Sequence, residues 1–459
     1  MKQSIIFVFA LMLWAPLQAQ TQPLEITANK RFFQTADKKP FFWLGDTGWL
    51  LFIKTTREEA VQYLNTRKEQ GFNVIQAMLV HGWDNAANVY GQPSFQGRDV
   101  SQPYTTPGND VNKPGEYDYW DHVEYIIDQA AQRGIYMALV PVWGSAVKDG
   151  PVTAEQAATY ATWLAKRFHT RNNIIWLNGG DIVATDSMAV WQAIGTALKQ
   201  HAPHQLVTYH PRGRYTSSQW FHNADWLDFN MFQSGHKTYA QDTSSKEHRH
   251  YGEDNWKYVQ EDYAKKPAKP TLDGEPSYEN IPYGLHDTTL PRWKAADLRR
   301  YAYWSVLAGG AGFTYGENHI MQFHRPGDQD ANFGPYKSWQ ASLYEPGAMQ
   351  MRHLKELILT HTDGSRRPAQ EILAANDGKQ YDYIIASKGN GYALAYTYTG
   401  KPISINIAKL GFKPGKAYWF NPVNGTIQEA GKPAKKGVEQ YQPPARTTEG
   451  NDWVLILKK

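Results

Sequence analysis

Short apolar runs alternate with amphipathic segments from about residue 40 to residue 360. Eight runs predict buried strands, namely FFWLGDTGW, NVIQAMLVHGWD, IYMALVPVWG, NIIWLNGGD, QLVTYHPRG, LDFNMFQSG, PTLDGEP and GFTYGEN. Between them, apolar residues recur at helical spacing, twice behind a capping-box pattern, at Thr56 to Glu59 and at Thr153 to Gln156. Strands alternating with helices eight times predict an α/β fold of the (β/α)8 TIM-barrel class.

A competing α/β interpretation is a doubly wound sheet. That fold usually places a Gly-rich phosphate loop after its first strand, and FFWLGDTGW is not followed by one. We therefore prefer the barrel and assign it to residues 21–365.

After about residue 365 the pattern changes to short strands separated by Gly, Pro and Asn. The segments YDYIIASKG, GYALAYTYTG, ISINIA, KAYWFNPVNG and DWVLILKK follow one another with no helical pattern between them. Such a series is typical of a small antiparallel β-sandwich, which we assign to residues 366–459.

The first twenty residues follow a third pattern. Lys2 precedes an apolar run from Ile5 to Ala15, and the small Ala19 lies near a plausible cleavage position. This is typical of a secretory signal peptide over residues 1–20, and the run is too short to span a bilayer comfortably. We therefore expect an exported bacterial protein, either periplasmic or at the cell surface or secreted.

Composition narrows the classes of function. The 459 residues contain no cysteine, which excludes disulfides, thiolate metal sites and a cysteine nucleophile. The formal net charge is +4 and the basic residues are dispersed, so nucleic acid is not expected as a partner. Oligomeric state is not predicted.

Polar side chains collect where the predicted strands end, which in a barrel is the active-site face. Acids, amides, imidazoles and aromatic rings converge there, with little Lys or Arg, and this set suits a neutral polyol such as a sugar. The positions are Asp46, His81, Asp84, Trp143, Asn178, Asp181, His210, Asn230, Gln233, Asp273, Glu275, Tyr315 and Glu317. Two long insertions, residues 84–117 and 235–255, follow strands two and six and belong to the same face.

Two of these acids suit glycoside hydrolysis, which needs a carboxyl group on each side of the scissile bond. Asp181 ends the fourth predicted strand and Glu275 follows the seventh, so the two can face each other across the ring. A retaining pair requires carboxyls about 5–5.5 Å apart. Asp273 lies two residues before Glu275 and so shares its face of the strand, which makes Asp273 the alternative carboxylate on that strand. Glu317 is a third candidate.

Each candidate also has a structural interpretation. Asp181 suits the cap of a following helix, and Glu275 suits a salt bridge. Asp46 fits a structural role as well as sugar binding, and His81 and His210 suit hydrogen-bonded linings. The indoles of Trp49, Trp83 and Trp143 suit either the core or stacking on a sugar.

Other chemistries find little support. H-E-x-x-H, P-loop and G-x-S-x-G patterns are absent from the sequence. The two histidines of EHRHYGED, residues 247–254, are spaced i, i+2, which is a weak metal signal. We expect no metal and no cofactor.

Several segments together resemble a known family. FFWLGDTGW, GFNVIQAML, NIIWLNGGD, DGEPSYE and GFTYGENHI, in this order and with YWFNPVNG near the C-terminus, are similar to the apiosidase-like glycoside hydrolases of Bacteroides-type bacteria, glycoside hydrolase family 140. The resemblance covers nearly all of the mature chain and implies a (β/α)8 catalytic domain followed by a β-sandwich. It also implies exo-acting release of apiose from the pectin rhamnogalacturonan-II, with Asp181 as acid/base and Glu275 as nucleophile.

Two alternatives remain open. An arabinofuranosidase, or another exo-acting glycosidase of pectin side chains, would use the same pair of acids. A non-catalytic glycan- or matrix-binding protein on an inactive barrel belongs to a different class, although binding alone would not need two well-placed acids.

Overall fold

The computed structural model describes residues 21–83, 87–150, 152–243, 250–375 and 378–459. The predicted signal peptide and Asp84 lie outside these ranges, as do the first residues of EHRHYGED. In the part of the chain that is described, no helix has the length and apolar character needed to cross a membrane.

The first twelve strands belong to the N-terminal domain. They are β1 (Leu24–Ile26), β2 (Phe33–Thr35), β3 (Pro40–Phe41), β4 (Trp43–Thr47), β5 (Val74–Met78), β6 (Tyr136–Val140), β7 (Ile174–Ile182), β8 (Val207–Pro211), β9 (Tyr215–Thr216), β10 (Asn230–Gln233), β11 (Thr271–Asp273) and β12 (Gly312–Tyr315). All eight predicted barrel strands occur among them, as β4 to β8 and β10 to β12.

These eight strands form a parallel sheet that curves back on itself. Its order is β8-β7-β6-β5-β4-β12-β11-β10, with β9 added antiparallel to β10, so the first barrel strand pairs with the last. Between β8 and β10, the Asp228 N–H donates to the Val207 carbonyl (2.9 Å) and the Thr208 hydroxyl donates to the Phe229 carbonyl (2.6 Å). The predicted TIM barrel is confirmed, and the doubly wound alternative is wrong.

Helices surround this sheet. They are α1 (Leu51–Lys54), α2 (Arg57–Glu69), α3 (Tyr119–Gln132), α4 (Gly144–Lys148), α5 (Ala154–Phe168), α6 (Met188–His201), α7 (Ser218–Phe221), α8 (Asn255–Ala264), α9 (Ala295–Leu307), α10 (Asn318–Met321) and α11 (Pro346–His361). The capping boxes of α2, at Thr56 and Glu59, and of α5, at Thr153 and Gln156, form as predicted.

A small antiparallel sheet, β1-β2-β3, precedes the barrel. Phe33 of β2 packs edge-on against Phe229 (5.2 Å between ring centroids) and against Trp43 at the start of β4. The sheet therefore covers the amino ends of the strands and leaves their carboxyl ends open. The sequence did not predict it, because strands of two or three residues carry no measurable periodicity.

The C-terminal domain is all antiparallel. Its strands are β13 (Arg367–Pro368), β14 (Ile385–Gly389), β15 (Tyr392–Thr397), β16 (Ile403–Asn406), β17 (Lys416–Phe420), β18 (Ile427–Glu429), β19 (Val438–Tyr441) and β20 (Trp453–Lys458). The sheet β13-β14-β15-β20-β17-β18 and the pair β16-β19 enclose an apolar core that includes Ile405, Trp419 and Leu455. This agrees with the predicted β-sandwich.

The two domains share a buried contact. Arg299 of α9 donates from Nη2 to Asp452 (2.6 Å) and from Nε to the same carboxylate, and both side chains are almost fully buried. Tyr303 of α9 stacks on Tyr396 of β15, with ring centroids 4.9 Å apart. The sandwich thus packs on the outside of the barrel at α9.

Candidate active site

A cleft of about 730 Å³ opens at the carboxyl ends of the barrel strands. Six of the residues predicted for the site line it, namely Trp49, His81, Trp143, Asp181, Gln233 and Glu275. The cleft thus contains both acids of the predicted pair. Its volume lies in the range of small-molecule sites.

Asp181 is carried by an irregularity at the end of β7. Gly179 pairs with His210 of β8, but the next paired residues are Ile182 and Pro211, so Gly180 and Asp181 have no partners opposite them. Gly179, Gly180 and Asp181 have φ of 93°, 110° and 50°, a left-handed region that glycine adopts freely and Asp tolerates. This bulge turns the Asp181 side chain out of the strand and into the cleft.

Glycine is required at the bulge for a second reason. A Cβ atom on Gly180 would lie 2.6 Å from Cε3 of Trp143, which itself lines the cleft. A Cβ atom on Gly179 would lie 2.5 Å from the Tyr209 ring. The two glycines after Asn178 therefore allow β7 to pack against its neighbours while it projects the acid.

Glu275 lies two residues beyond β11 and is nearly covered, with 6% of its surface exposed. Two imidazoles hold its carboxylate: His236 Nε2 lies 3.1 Å from Oε1, and His210 Nε2 lies 3.1 Å from Oε2. Burial alone would raise the pKa of Glu275, but the contacts with His210 and His236 outweigh it and lower the pKa to about 2. Glu275 is therefore ionised throughout the ordinary pH range.

Asp181 has the opposite electrostatic environment. Removal of water by the surrounding cleft walls, followed by the negative charge of Glu275, raises the pKa of Asp181 to about 6. Positive charge at His210, His236 and Arg212 opposes this shift without cancelling it. Below pH 6 the cleft thus holds one protonated and one ionised carboxyl group.

His210 connects the two acids. Its Nδ1 accepts from the backbone N–H of Asp181 (3.5 Å), and its Nε2 lies 3.1 Å from Oε2 of Glu275. The ring is fully buried and packs edge-on against Trp49, at 5.3 Å between centroids. Trp49 in turn donates from Nε1 to the Tyr278 hydroxyl (3.0 Å). His210 was predicted for the site, and it lies beneath the cleft as a support for both acids.

Several predicted residues do not line the cleft, because buried partners hold them elsewhere. Asp46 accepts from Tyr63 Oη (2.5 Å) and from Arg67 Nε (2.6 Å), all three being buried. Asn178 donates to the Trp191 carbonyl (2.7 Å). Of the two interpretations of Asp46, the structure favours the structural one, and Asn178 likewise supports the fold.

Three more of the predicted strand-end residues are also structural. Asp273 is fully buried and accepts from Ser234 Oγ (2.7 Å) and Asn255 Nδ2 (3.0 Å), and burial raises its pKa to about 6. Glu317 caps α10 and pairs with His319 Nδ1 (2.6 Å). The Tyr315 hydroxyl donates to Glu279 (2.5 Å).

Trp83 lies beside the cleft rather than in it. Its Nε1 donates to the Ala146 carbonyl (3.0 Å), and its ring packs against Phe95. Phe95 belongs to the insertion after strand two, of which the described residues contact α3: the Ser94 carbonyl accepts from Trp120 Nε1, and the Thr106 N–H donates to Asp118. The insertion after strand six, in contrast, supplies residues to the cleft.

The cleft contains several lining residues that the sequence did not predict, and the predicted scarcity of basic residues there was wrong. Arg212, Arg214 and Lys237 line it, although little Lys or Arg was expected. His236 and Tyr278 were also missed, although each follows a predicted site residue by three positions, Gln233 and Glu275. That spacing was the available signal, since loop residues after a barrel strand share its face.

The cleft has no metal-binding arrangement among its described residues. Nowhere in the described ranges do three or more His, Cys, Asp or Glu side chains group so as to hold a metal ion. The imidazoles of His210 and His236 are instead engaged with Glu275. The arrangement suits proton transfer and nucleophilic attack by carboxyl groups.

Comparison with known proteins supports this chemistry. Residues 27–362 match the model of the family described as apiosidase-like, catalytic domain. The chain belongs to the apiosidase-like family. Residues 367–458 match a model for a collagen-binding-like domain. A search among curated proteins returns no match.

Two solved structures are similar over almost the whole chain. One, described as a glycoside hydrolase, is 42% identical with a TM-score of 0.89, covering 96% of this chain and 97% of its own. The other, a glycoside hydrolase family 5 protein from Bacteroides vulgatus ATCC 8482, is 41% identical with a TM-score of 0.89, covering 95% and 93%. This apiosidase-like chain is accordingly a glycoside hydrolase.

Proposed function

We propose that this glycoside hydrolase is an apiosidase that releases terminal apiose from pectic glycan, rhamnogalacturonan-II side chains, by a retaining mechanism. Asp181 is the acid/base and Glu275 the nucleophile. The observation that carries the mechanism is one cleft lined by both carboxyl groups, in which His236 and His210 each lie 3.1 Å from an oxygen of Glu275. The match to the apiosidase-like family supports apiose as the sugar, and the opposite pKa shifts of Asp181 and Glu275 agree with their two roles. A protonated acid facing an ionised nucleophile is the state from which glycoside cleavage begins.

In the first step, a Glu275 oxygen attacks the anomeric carbon of the bound sugar. The bond from that carbon to the glycosidic oxygen breaks, and Asp181 gives its proton to the departing oxygen. The products are the free remainder of the glycan, a glycosyl ester on Glu275 and an ionised Asp181. Trp49 and Trp143 line the same cleft and pack against each other, with ring centroids 5.1 Å apart.

In the second step, Asp181 takes a proton from water while the water oxygen attacks the anomeric carbon. The ester bond breaks, and Glu275 leaves as a carboxylate. The ester carries no charge, so the part of the rise in the pKa of Asp181 that came from Glu275 is absent during this step. Asp181 is then ionised over more of the pH range, which is the state that accepts a proton. The free sugar departs with both acids in their starting states.

The basic residues of the cleft favour a glycan that carries carboxylates, as pectins do. Arg212 and Lys237 have no acidic partner within 4 Å among the described residues, whereas Arg214 pairs with Asp242. Arg212 lines the cleft and lies close enough to Asp181, the acid that protonates the departing oxygen, to influence its titration. A carboxylate on the leaving sugar would meet a cation there.

Export is part of the proposal. The signal-peptide pattern of residues 1–20 supports a periplasmic, cell-surface or secreted location, where pectic oligosaccharides reach the enzyme. Cleavage of the signal is tested by N-terminal sequencing of protein recovered from the periplasm of an expressing bacterium. An intact Met1 in the cytoplasmic fraction alone would contradict export.

The test of the function is sugar release from rhamnogalacturonan-II oligosaccharides by the native enzyme, Asp181→Asn and Glu275→Gln. We expect free apiose from the native enzyme, and the sugar should first appear with the anomeric configuration that it had in the substrate. Release of arabinose or another sugar instead would support the alternative glycosidase. A protein that binds these glycans but cleaves nothing would be the non-catalytic alternative.

A further inference from the structure

The loop after β10 joins the cleft to the C-terminal domain. We define the cleft loop as residues 235–243 and 250–254. It places His236 and Lys237 in the cleft, and its Asp242 pairs with Arg214, another lining residue. His236 is the residue that contacts Glu275. The cleft loop therefore supplies one of the two imidazoles that contact Glu275.

The far end of the cleft loop is fixed by a buried carboxylate. Glu253 is fully buried and accepts from Arg300 Nη2 (2.7 Å) on α9 and from the backbone N–H of Tyr239. It also accepts from the hydroxyl of Tyr381 (2.9 Å), which belongs to the C-terminal domain. A buried carboxylate needs each of these donors, because water cannot replace a missing one easily.

Aromatic contacts reinforce the same junction. The Tyr239 ring lies 5.5 Å from the Tyr381 ring, and the Tyr239 hydroxyl donates to Asp254 (2.7 Å). Just after the loop, Trp256 stacks on Tyr383 of the C-terminal domain, with centroids 4.1 Å apart and planes 7° apart. The cleft loop thus returns to the barrel between side chains of both domains.

We propose that Tyr381 is a positioning residue, through which the C-terminal domain holds the cleft loop and keeps His236 on Glu275. The sandwich then completes the catalytic unit, in addition to any ligand of its own. Only the activity readouts below rest on the proposed function, since the loop contacts exist independently of the substrate.

The direct test is Tyr381→Phe in the full chain, which removes one hydroxyl and keeps the ring. We expect hydrogen exchange at the Tyr239 amide to become roughly tenfold faster, because Glu253 loses one of its donors. Tyr441→Phe is the matched control: it removes a hydroxyl that donates to Glu439 within the C-terminal domain. The control should leave the Tyr239 amide unchanged.

The activity test uses the pH profile, which a merely structural role would not move. A displaced His236 would stabilise the Glu275 carboxylate less, so the acidic limb of kcat/KM should move up by about half to one pH unit in Tyr381→Phe. We also expect kcat/KM to fall roughly tenfold at the optimum. Tyr441→Phe should change neither.

Two results would overturn the proposal. One is a Tyr381→Phe variant in which both the hydrogen-exchange rate of the Tyr239 amide and the acidic limb of the kcat/KM profile are the same as in the native enzyme. The other is an equal loss in both variants, which would indicate general destabilisation of the sandwich. If no substrate is cleaved by the native enzyme, the proposed function fails, but the exchange measurement still decides the role of Tyr381.

Discussion

At the end of β7, Asp181 stands on a bulge and is exposed to the cleft, whereas beyond β11 Glu275 is nearly covered and held between two imidazoles. Withdrawal of water and the neighbouring Glu275 raise the pKa of Asp181, whereas His210 and His236 lower that of Glu275 despite its burial. Equivalent positions at the rim of one barrel thus acquire different protonation states from their local neighbours.

Asp273 sharpens the comparison, because it lies only two residues before Glu275 and has the opposite pKa shift. Burial raises the pKa of Asp273 to about 6, and its hydrogen bonds to Ser234 and Asn255 only oppose that rise. Hydroxyl and amide donors carry no charge, whereas an imidazole can. The pKa of a strand-end acid in this barrel therefore differs according to whether imidazoles or neutral hydroxyl and amide donors face it.

The largest expected effect is the loss of the nucleophile. Glu275→Gln should lower kcat/KM by roughly 10⁴-fold or more, because no covalent intermediate can form. The matched variant Asp273→Asn should lower kcat/KM less than tenfold while reducing the free energy of unfolding by about 1–3 kcal/mol, since buried hydrogen bonds are disturbed. Steady-state kinetics and urea unfolding check both. Activity retained in Glu275→Gln and lost in Asp273→Asn would reverse the assignment.

Loss of the acid should be the next largest effect and should depend on the leaving group. Asp181→Asn is expected to lower kcat/KM by about 10²–10⁴-fold on natural glycosides, whose oxygen must be protonated to depart. On an aryl glycoside with a strongly acidic phenol, the loss should be much smaller, because that oxygen leaves unprotonated. Kinetics on the two substrates measure this. Equal losses on both would argue against Asp181 as the acid.

A smaller effect should follow from disturbing the bulge. Gly180→Ala would place Cβ at a left-handed φ and 2.6 Å from the Trp143 ring, so the bulge must shift. We expect kcat/KM to fall roughly 10- to 100-fold with the fold intact, because Asp181 is misplaced. Gly82→Ala is the control, since a Cβ there meets no atom within 4 Å. Native activity in Gly180→Ala would show that the acid does not depend on this backbone.

The dependence of kcat/KM on pH should be a gradual effect and not an abrupt loss. Catalysis needs Glu275 ionised and Asp181 protonated, so the two pKa values of about 2 and about 6 bound the active range. Activity should therefore be highest at acidic pH and fall about tenfold for each unit above pH 6. The profile of kcat/KM checks this. A flat profile from pH 4 to 8 would contradict the assignment of the pair.

The sequence was sufficient to predict the barrel and to place the two acids on one face. Periodicity shows where each strand ends, and the carboxyl ends of all barrel strands lie on the same face. The sequence did not reveal which side chains at the strand ends line the cleft. Asp46 is held by Tyr63 and Arg67 of α2, and Asn178 by Trp191 of α6. Such partners are chosen by tertiary packing, and no local pattern records them.

His236, Arg212 and Lys237 were missed for a related reason. They lie on loops, where no periodicity shows which residues face the cleft. The bulge, in contrast, has a signal in the sequence, namely the two glycines between Asn178 and Asp181. Its geometry was not predicted, because a glycine pair fits several turns.

The negative charge of Glu275 helps to keep Asp181 protonated. The measurement that tests it most directly is the carboxyl titration of Asp181, from infrared difference spectra against Asp181→Asn, in the native background and in Glu275→Gln. We predict a pKa of about 6 in the native enzyme. It should fall in Glu275→Gln, while staying above the ordinary Asp value because desolvation remains. A pKa that is ordinary in the native enzyme, or unchanged when Glu275 loses its charge, would contradict the account.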